Sequence, residues 1–211
     1  MVKTDLSFVK KEIKKFKKKK LIVNKFNLGA GISRNKGIKF SNGSYIAFCD
    51  ADDLWSINKL EIQYKFMKSN NLSFSHSSYN IIDKSGSKIT YFDIKKKIQY
   101  KELIKSCDIG LSSVMCKKDI LKKNFFLNTR TKEDYYLWLN LIKDLECFYG
   151  IKQKLVSWRK LDNSLSSHVL KGFFDAFKMY KAQTKKIIII PLFYTLRLSF
   201  NALIKKFRLY I

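Results

Sequence analysis

The sequence predicts an α/β fold, a mostly parallel sheet flanked by helices. Three observations carry this. Helical and strand-like hydrophobic periods alternate, segment by segment, through the first third of the chain. Residues 44–49 (SYIAFC) are nearly all apolar, as a strand covered on both faces should be. Apolar residues make up 46% of the 211, with 17 Phe among them, which suffices for the core of one domain.

Leu6, Val9, Ile13 and Phe16 recur at helical spacing, with lysines on the opposite face, which is solvated or placed to meet phosphate. Leu21-Ile22-Val23 reads as a short buried strand. The glycine-bearing turn Asn27-Leu28-Gly29-Ala30-Gly31 leads into a helix through Ile38, and Asn42-Gly43 turns the chain into the strand at 44–49. A helix over 57–69 places Ile57, Leu60, Tyr64 and Met67 on one face. Short strands follow over 72–92, around the turn Lys84-Ser85-Gly86. Residues 99–106 and 117–123 read as helical. Leu137, Trp138, Leu141, Ile142 and Leu145 mark a strong helix from residue 133. Two short strands follow near 146–150 and 153–158, then a polar loop over 162–167 and a helix from about 169. From Ile187 the tail is amphipathic: Leu192, Phe193, Leu196, Phe200, Leu203, Ile204 and Phe207 share a helical face, with Arg197, Lys205, Lys206 and Arg208 off it. A basic helix of this kind suits a membrane interface better than a span; the alternative is packing on its own domain. The expected division is 1–185 for the main domain and 186–211 for the tail.

The formal net charge is +26, yet only Arg34, Arg130, Arg159, Arg197 and Arg208 of the 43 basic residues are arginine. Nucleic-acid surfaces favour the planar arginine fork, and no aromatic–basic motif accompanies the lysines, so no nucleic-acid partner is expected. Cys49, Cys107, Cys116 and Cys147 form no CxxC pair and have no histidines at zinc spacing, which points to reduced thiols in a cytosol. The basic N-terminus has no apolar core and does not read as a signal peptide.

Asp50, Asp52 and Asp53 stand where an apolar strand runs out, the place at which open α/β sheets bind ligands. Three acids so close repel one another unless a cation sits among them. Mg²⁺ or Mn²⁺ uses one or two carboxylates together with substrate phosphates, so an Asp-x-Asp pair can hold a metal that grips a diphosphate. Taken alone, the cluster reads first as an exposed cap for the helix near Ile57.

Residues 27–61, NLGAGISRNKGIKFSNGSYIAFCDADDLWSINKLE, resemble the donor-site core of family 2 glycosyltransferases: a glycine-rich turn (Gly29, Gly31), Arg34-Asn35-Lys36-Gly37, the turn Asn42-Gly43, the strand Tyr45-Ile46-Ala47-Phe48, then Asp50-Ala51-Asp52-Asp53 and Trp55. The resemblance implies a GT-A-like, Rossmann-like fold. It implies donor contacts from Gly29, Arg34, Asn35, Asp50, Asp52, Asp53 and Trp55, with Asp52 as the Mg²⁺ or Mn²⁺ ligand and Arg34 near the nucleotide. Glu133-Asp134-Tyr135-Tyr136-Leu137-Trp138-Leu139 is similar to the family's Glu-Asp segment, which makes Asp134 the implied base for the acceptor hydroxyl and Glu133 its orienting neighbour. Thr131 with Asp134 also fits a helix capping box. Leu111 to Met115 resembles the strand lining the acceptor side. Trp158-Arg159 with Ser164-Leu165-Ser166 resembles a later family segment, so Ser113, Arg159 or His168 is expected on the acceptor or diphosphate loop. His76 reads as a strand-surface histidine.

The implied function is transfer of a sugar from a nucleotide-diphosphate sugar, a UDP-sugar, to a saccharide or lipid-linked acceptor in cell-surface polysaccharide or lipopolysaccharide synthesis, by an inverting single displacement. The location would be cytoplasmic, peripheral at the inner membrane face. The family's first strand and its Asp-Asp-x-Ser turn should precede Leu6, so the fold is expected to be truncated at its N-terminal side, with the edges at 21–23 and 45–49 exposed. The alternative is an inactive homologue serving as a binding or partner subunit.

Overall fold

The computed structural model describes residues 6–161, 169–184 and 188–208. Among the described residues seven α-helices and seven strands follow in this order: α1 (Leu6–Ile13), α2 (Gly29–Phe40), β1 (Tyr45–Ala47), β2 (Leu54–Trp55), α3 (Lys59–Ser69), β3 (Phe74–Ile82), β4 (Lys88–Phe92), β5 (Lys97–Gln99), α4 (Tyr100–Leu103), β6 (Met115–Lys117), α5 (Glu133–Leu145), β7 (Cys147–Arg159), α6 (Val169–Thr184) and α7 (Ile189–Arg208). The α/β class holds.

The strand order is β1-β6-β3-β7-β2, with β4 also on β3 and β5 also on β7. The expectation of a mostly parallel sheet needs correction: β3 and β7 are the one parallel pair among the described residues, and the other pairs are antiparallel. The reason lies in the connections. A parallel pair needs a crossover, and α5 lies on the path from β3 back to β7; β3 and β4 are joined by a tight turn that antiparallel pairing alone permits. Residues 21–23 form no strand, since nothing among the described residues pairs with them, and Leu21 and Val23 are exposed. Among the described residues β1 pairs only with β6, so there it is an edge strand rather than a central one. The two strands expected over 146–158 are a single strand, β7, which absorbs an irregularity opposite Ser77 and Ser78.

The core lies between the sheet and α5. Tyr135, Leu137, Trp138, Leu139, Leu141 and Ile142 of that helix are all buried, Phe74 stacks on Phe148 at 3.8 Å, and Trp138 meets Phe48, Phe74 and Phe126. His76 is fully buried rather than on the strand surface, because β3 runs through the middle of the sheet; desolvation pushes its imidazole down to about 3.

One helix, α3, turns a face that its apolar pattern did not predict. α3 buries Lys59, Gln63 and Met67, while Ile57, Leu60 and Tyr64 are exposed. α7 contributes Tyr194, Thr195 and Leu198 to the interior, with Tyr194 stacked on Tyr180 at 5.4 Å. Its predicted stripe, Leu192, Phe193, Leu196, Phe200, Leu203 and Ile204, faces outward. Among the described residues no helix is long and apolar enough to cross a membrane.

Candidate active site

A cavity of about 250 Å³ opens where β1, β3 and β7 end. Its walls include Asp50 and Asp53 from the acidic turn, Ser112 and Ser113 from a 3-10 turn, and Asp134 from the first turn of α5. The two acidic segments, some eighty residues apart in sequence, thus face one space.

The turn after β1 is locked from several sides. The Asp50 backbone N–H donates to Ser112 Oγ at 3.0 Å, and the Ser112 hydroxyl donates to Asp53 Oδ2 at 2.5 Å. The other Asp53 oxygen accepts the Arg159 backbone N–H at 2.9 Å. Burial pushes the Asp53 carboxyl up from its ordinary value, and these two hydrogen bonds pull it back. Arg159 closes the far side: its Nε donates to the Asp52 carbonyl at 2.9 Å, and its Nη1 to the Asp83 and Lys84 carbonyls of the β3–β4 turn. The Trp55 indole donates to the Ser112 carbonyl at 2.9 Å, and Lys59 Nζ lies 4.1 Å from the centre of its ring. Lys59, fully buried, donates to Gln63 at 2.6 Å; burial brings its ammonium down to about 8. Gln63 in turn donates to the Ser113 carbonyl at 2.9 Å and to Ser75 Oγ. This polar chain explains why α3 buries a lysine and a glutamine instead of its apolar stripe.

The second segment is positioned by α2. Asn35 exchanges two hydrogen bonds with the Phe126 backbone, both 2.9 Å. A Cβ at Gly31 would lie 2.6 Å from the Leu127 carbonyl and 3.2 Å from Glu133 Cγ, so only glycine lets α2 approach α5 this closely. Gly29 opens α2 at φ 79°, its N–H held by Asn27 Oδ1 at 3.0 Å. Arg34 joins the two acidic segments, with Nη2 2.7 Å from Asp50 Oδ1 and Nη1 2.6 Å from Glu133 Oε1.

Glu133 is buried, and Asp134 is half-buried in the cavity wall. No capping box forms: Thr131 donates both its N–H and its hydroxyl to Asp175 of α6, and Lys132 precedes the helix with φ 66°. Asp134 instead accepts the N–H of Tyr135 at 2.7 Å. Burial raises both carboxyls above the usual range; the Asp134 charge adds to the rise at Glu133, and Arg34 opposes it.

Asp52 is exposed and outside the cavity lining, and its carboxylate accepts no hydrogen bond from the described residues. Among the described residues no group of three or more His, Cys, Asp or Glu is placed to hold a metal. The exposed Asp52 carboxylate would serve a cation that arrives with a diphosphate, which asks for one or two carboxylates; it does not form a cage that holds a metal without substrate. His168 and Ser164 to Ser166 lie outside the described residues.

Sequence reasoning missed Tyr79, Cys107, Asp108, Ile109 and Gly110 in the lining and gave Trp158 no wall position. An acid followed by glycine just before Ser112-Ser113 was the one local signal available.

The sequence profile of Glycosyl transferase family 2 matches residues 5–125. The chain is 42% identical over 125 residues to the Escherichia coli UDP-Glc:alpha-D-GlcNAc-diphosphoundecaprenol beta-1,3-glucosyltransferase WfgD, covering 59% of this chain and 49% of that protein. It is 31% identical over 156 residues to the Bacillus subtilis putative teichuronic acid biosynthesis glycosyltransferase TuaG, covering 74% of this chain and 62% of that one. It therefore spans about half to three fifths of the length of these relatives. In structure it resembles S. aureus TarS in complex with UDP-GlcNAc, with a TM-score of 0.66 at 15% identity over 86% of this chain and 53% of that one, a likeness of fold. A profile match over more than half the chain, carried on a fold of this class, shows that the chain belongs to glycosyl transferase family 2.

Proposed function

We propose that this chain carries the transfer machinery of a glycosyltransferase that moves a sugar from a UDP-sugar to the hydroxyl of a saccharide or lipid-linked acceptor in cell-surface polysaccharide synthesis, by an inverting single displacement. The observation that carries the reading is the single cavity lined by Asp50, Asp53 and Asp134. Asp134, its carboxyl raised by burial, takes the proton of the acceptor hydroxyl as that oxygen attacks the anomeric carbon. Asp50 holds the donor's ribose or sugar, while Asp53, Trp55 and Ser113 keep the cavity in shape: Asp53 accepts the Ser112 hydroxyl, Trp55 donates to the Ser112 carbonyl, and the Ser113 hydroxyl donates to the Gly110 carbonyl at 2.7 Å. Asp52 would hold Mg²⁺ or Mn²⁺, and such an ion, when bound, neutralises charge on a leaving diphosphate. The donor class is supported by the UDP-Glc in the name of WfgD and the UDP-GlcNAc bound to TarS.

The outward stripe of α7 extends the reading to the location. Phe193, Leu196, Phe200 and Leu203 are each more than half exposed, and the helix has basic residues and no acidic ones. Such a face suits the anionic inner surface of the cytoplasmic membrane, with residues 186–211 as the docking tail.

A second reading, a catalytically silent partner subunit, is favoured by one observation: β1 pairs on one side only, beside exposed Leu21, Val23 and Phe40. UDP release from a panel of UDP-sugars, measured with saccharide and polyprenyl-diphosphate-sugar acceptors, separates the two. Turnover that needs a divalent cation and drops in Asp52→Ala supports the enzyme. UDP-sugar binding without turnover across the panel supports the partner subunit.

A further inference from the structure

Arg34 has both terminal nitrogens committed to carboxylates of different segments, and its guanidinium sits 5.6 Å from the centre of the Phe126 ring. Phe126 is itself fully buried and fixed by Asn35, one residue along the same helix. The arginine side chain is about one-fifth exposed, and Glu133 one-tenth. Burial alone would lower the guanidinium's affinity for its proton, but the two carboxylates outweigh that and raise it. A planar fork reaches two acids at once; an ammonium on a flexible stem does not hold both in fixed geometry.

We propose that Arg34 is a positioning residue for the transfer step: it clamps the acidic turn after β1 to the first turn of α5 and so sets where the Asp134 carboxylate stands relative to the donor end of the cavity. This rests on the function proposed above. It places Arg34 behind the carboxylates, acting through Asp50 and Glu133, in contrast to a side chain that grips the nucleotide. The geometry that supports it is a closed loop: Arg34 to Glu133, Glu133 beside Asp134, Asp134 across the cavity from Asp50, and Asp50 back to Arg34. The charged and titratable groups around Asp134 are Arg34, Lys132, Asp50, Glu133, Cys107 and Asp108. Of these, Arg34 and Lys132 are the positive ones.

The test uses the full chain with Arg34→Lys, Arg34→Gln, Glu133→Gln and the double variant Arg34→Gln/Glu133→Gln. For a clamp, Arg34→Lys lowers kcat by roughly 10- to 100-fold while the KM for the UDP-sugar stays within about threefold, since a misplaced base costs turnover and leaves ground-state binding alone. Arg34→Gln shows the same split and moves the acid limb of the kcat–pH profile upward, because a positive charge near Asp134 is gone. Arg34→Gln leaves Glu133 buried without its partner and is the variant most at risk of not folding; the double variant removes both and recovers thermal stability relative to that single change. Stability that falls additively through the cycle overturns the clamp whatever the enzyme turns over. If the KM rises with kcat unchanged, Arg34 is a donor contact and the proposal fails. If the wild-type chain shows no transfer while the stability cycle is still non-additive, the clamp stands as a structural bridge and the enzymatic reading is what fails.

Discussion

Asp53 and Asp134 differ in what surrounds their oxygens, and this predicts different responses to substitution. Both Asp53 oxygens accept protein hydrogen bonds, from Ser112 and Arg159. Asp53→Ala leaves those donors without their acceptor and should cost about 1–3 kcal/mol per stranded buried group, read as a lower midpoint in denaturant titration. Asp134 has one hydrogen bond, from Tyr135, and sits in a wall that disfavours its charge. A folded-state pKa above the unfolded one means that ionised Asp134 destabilises the fold, and stability falls as pH rises from the unfolded value through the raised one. Asp134→Asn at neutral pH should therefore leave thermal stability unchanged or raise it. For turnover the sign runs the other way. As the proposed base, Asp134 works only when ionised, so activity is expected to drop as pH falls through the raised pKa, with the acid limb of kcat/KM above the ordinary aspartate value of about 3.9. The aspartates were legible in the sequence because their motif is local. Their different roles were not, since Ser112 and Arg159 reach Asp53 from 59 and 106 residues away.

At the scale of elements, the seat of α2 on α5 decides whether the two acidic segments meet. Gly31→Ala puts a methyl 2.6 Å from the Leu127 carbonyl, a backbone atom that cannot swing aside. The helix must shift, at a cost of about 1–3 kcal/mol, with turnover falling alongside stability in circular dichroism melts. The sequence marked Gly31 as part of a turn; what it could not show is that the closeness is to Glu133. It placed α5 well, because the stripe from Leu137 to Leu145 is long and periodic. It missed most of the face of α3, and on α7 it left open whether the stripe packs on the domain or meets a membrane. Periodicity finds which residues share a side, whereas the side that is buried depends on neighbours: the Trp55–Lys59–Gln63 chain turns α3, and the Tyr180–Tyr194 stack turns α7. The outward stripe of α7 predicts sedimentation with vesicles rich in phosphatidylglycerol and little with phosphatidylcholine alone. Phe193→Ser/Phe200→Ser should reduce the bound fraction at least severalfold, since each aromatic side chain brings about 1.5–3 kcal/mol of burial. Equal recovery of that variant with the vesicles would remove α7 as the docking face.

The whole molecule gathers chemistry from across the chain into one cavity by sheet pairing. β3 and β7 run side by side and bring Tyr79 and Trp158 to the same wall, and β6 next to β3 brings the segment carrying Ser112 and Ser113 against the acidic turn. No local pattern announces such neighbours, which is why the fold class and the two acidic motifs were readable and the remaining lining was not. The mostly parallel sheet was misjudged on the same ground, since strand direction follows the connections more than the strands themselves. On the proposed function, one cavity joins a donor-holding turn to a separate base. The measurement that tests it most directly pairs sugar transfer with donor affinity for Asp134→Asn in the presence of Mn²⁺. The account predicts a turnover loss of about 10²- to 10⁴-fold with UDP-sugar affinity by calorimetry close to wild type. Turnover kept at the wild-type level, or donor binding lost along with it, would contradict the division of labour between the two segments.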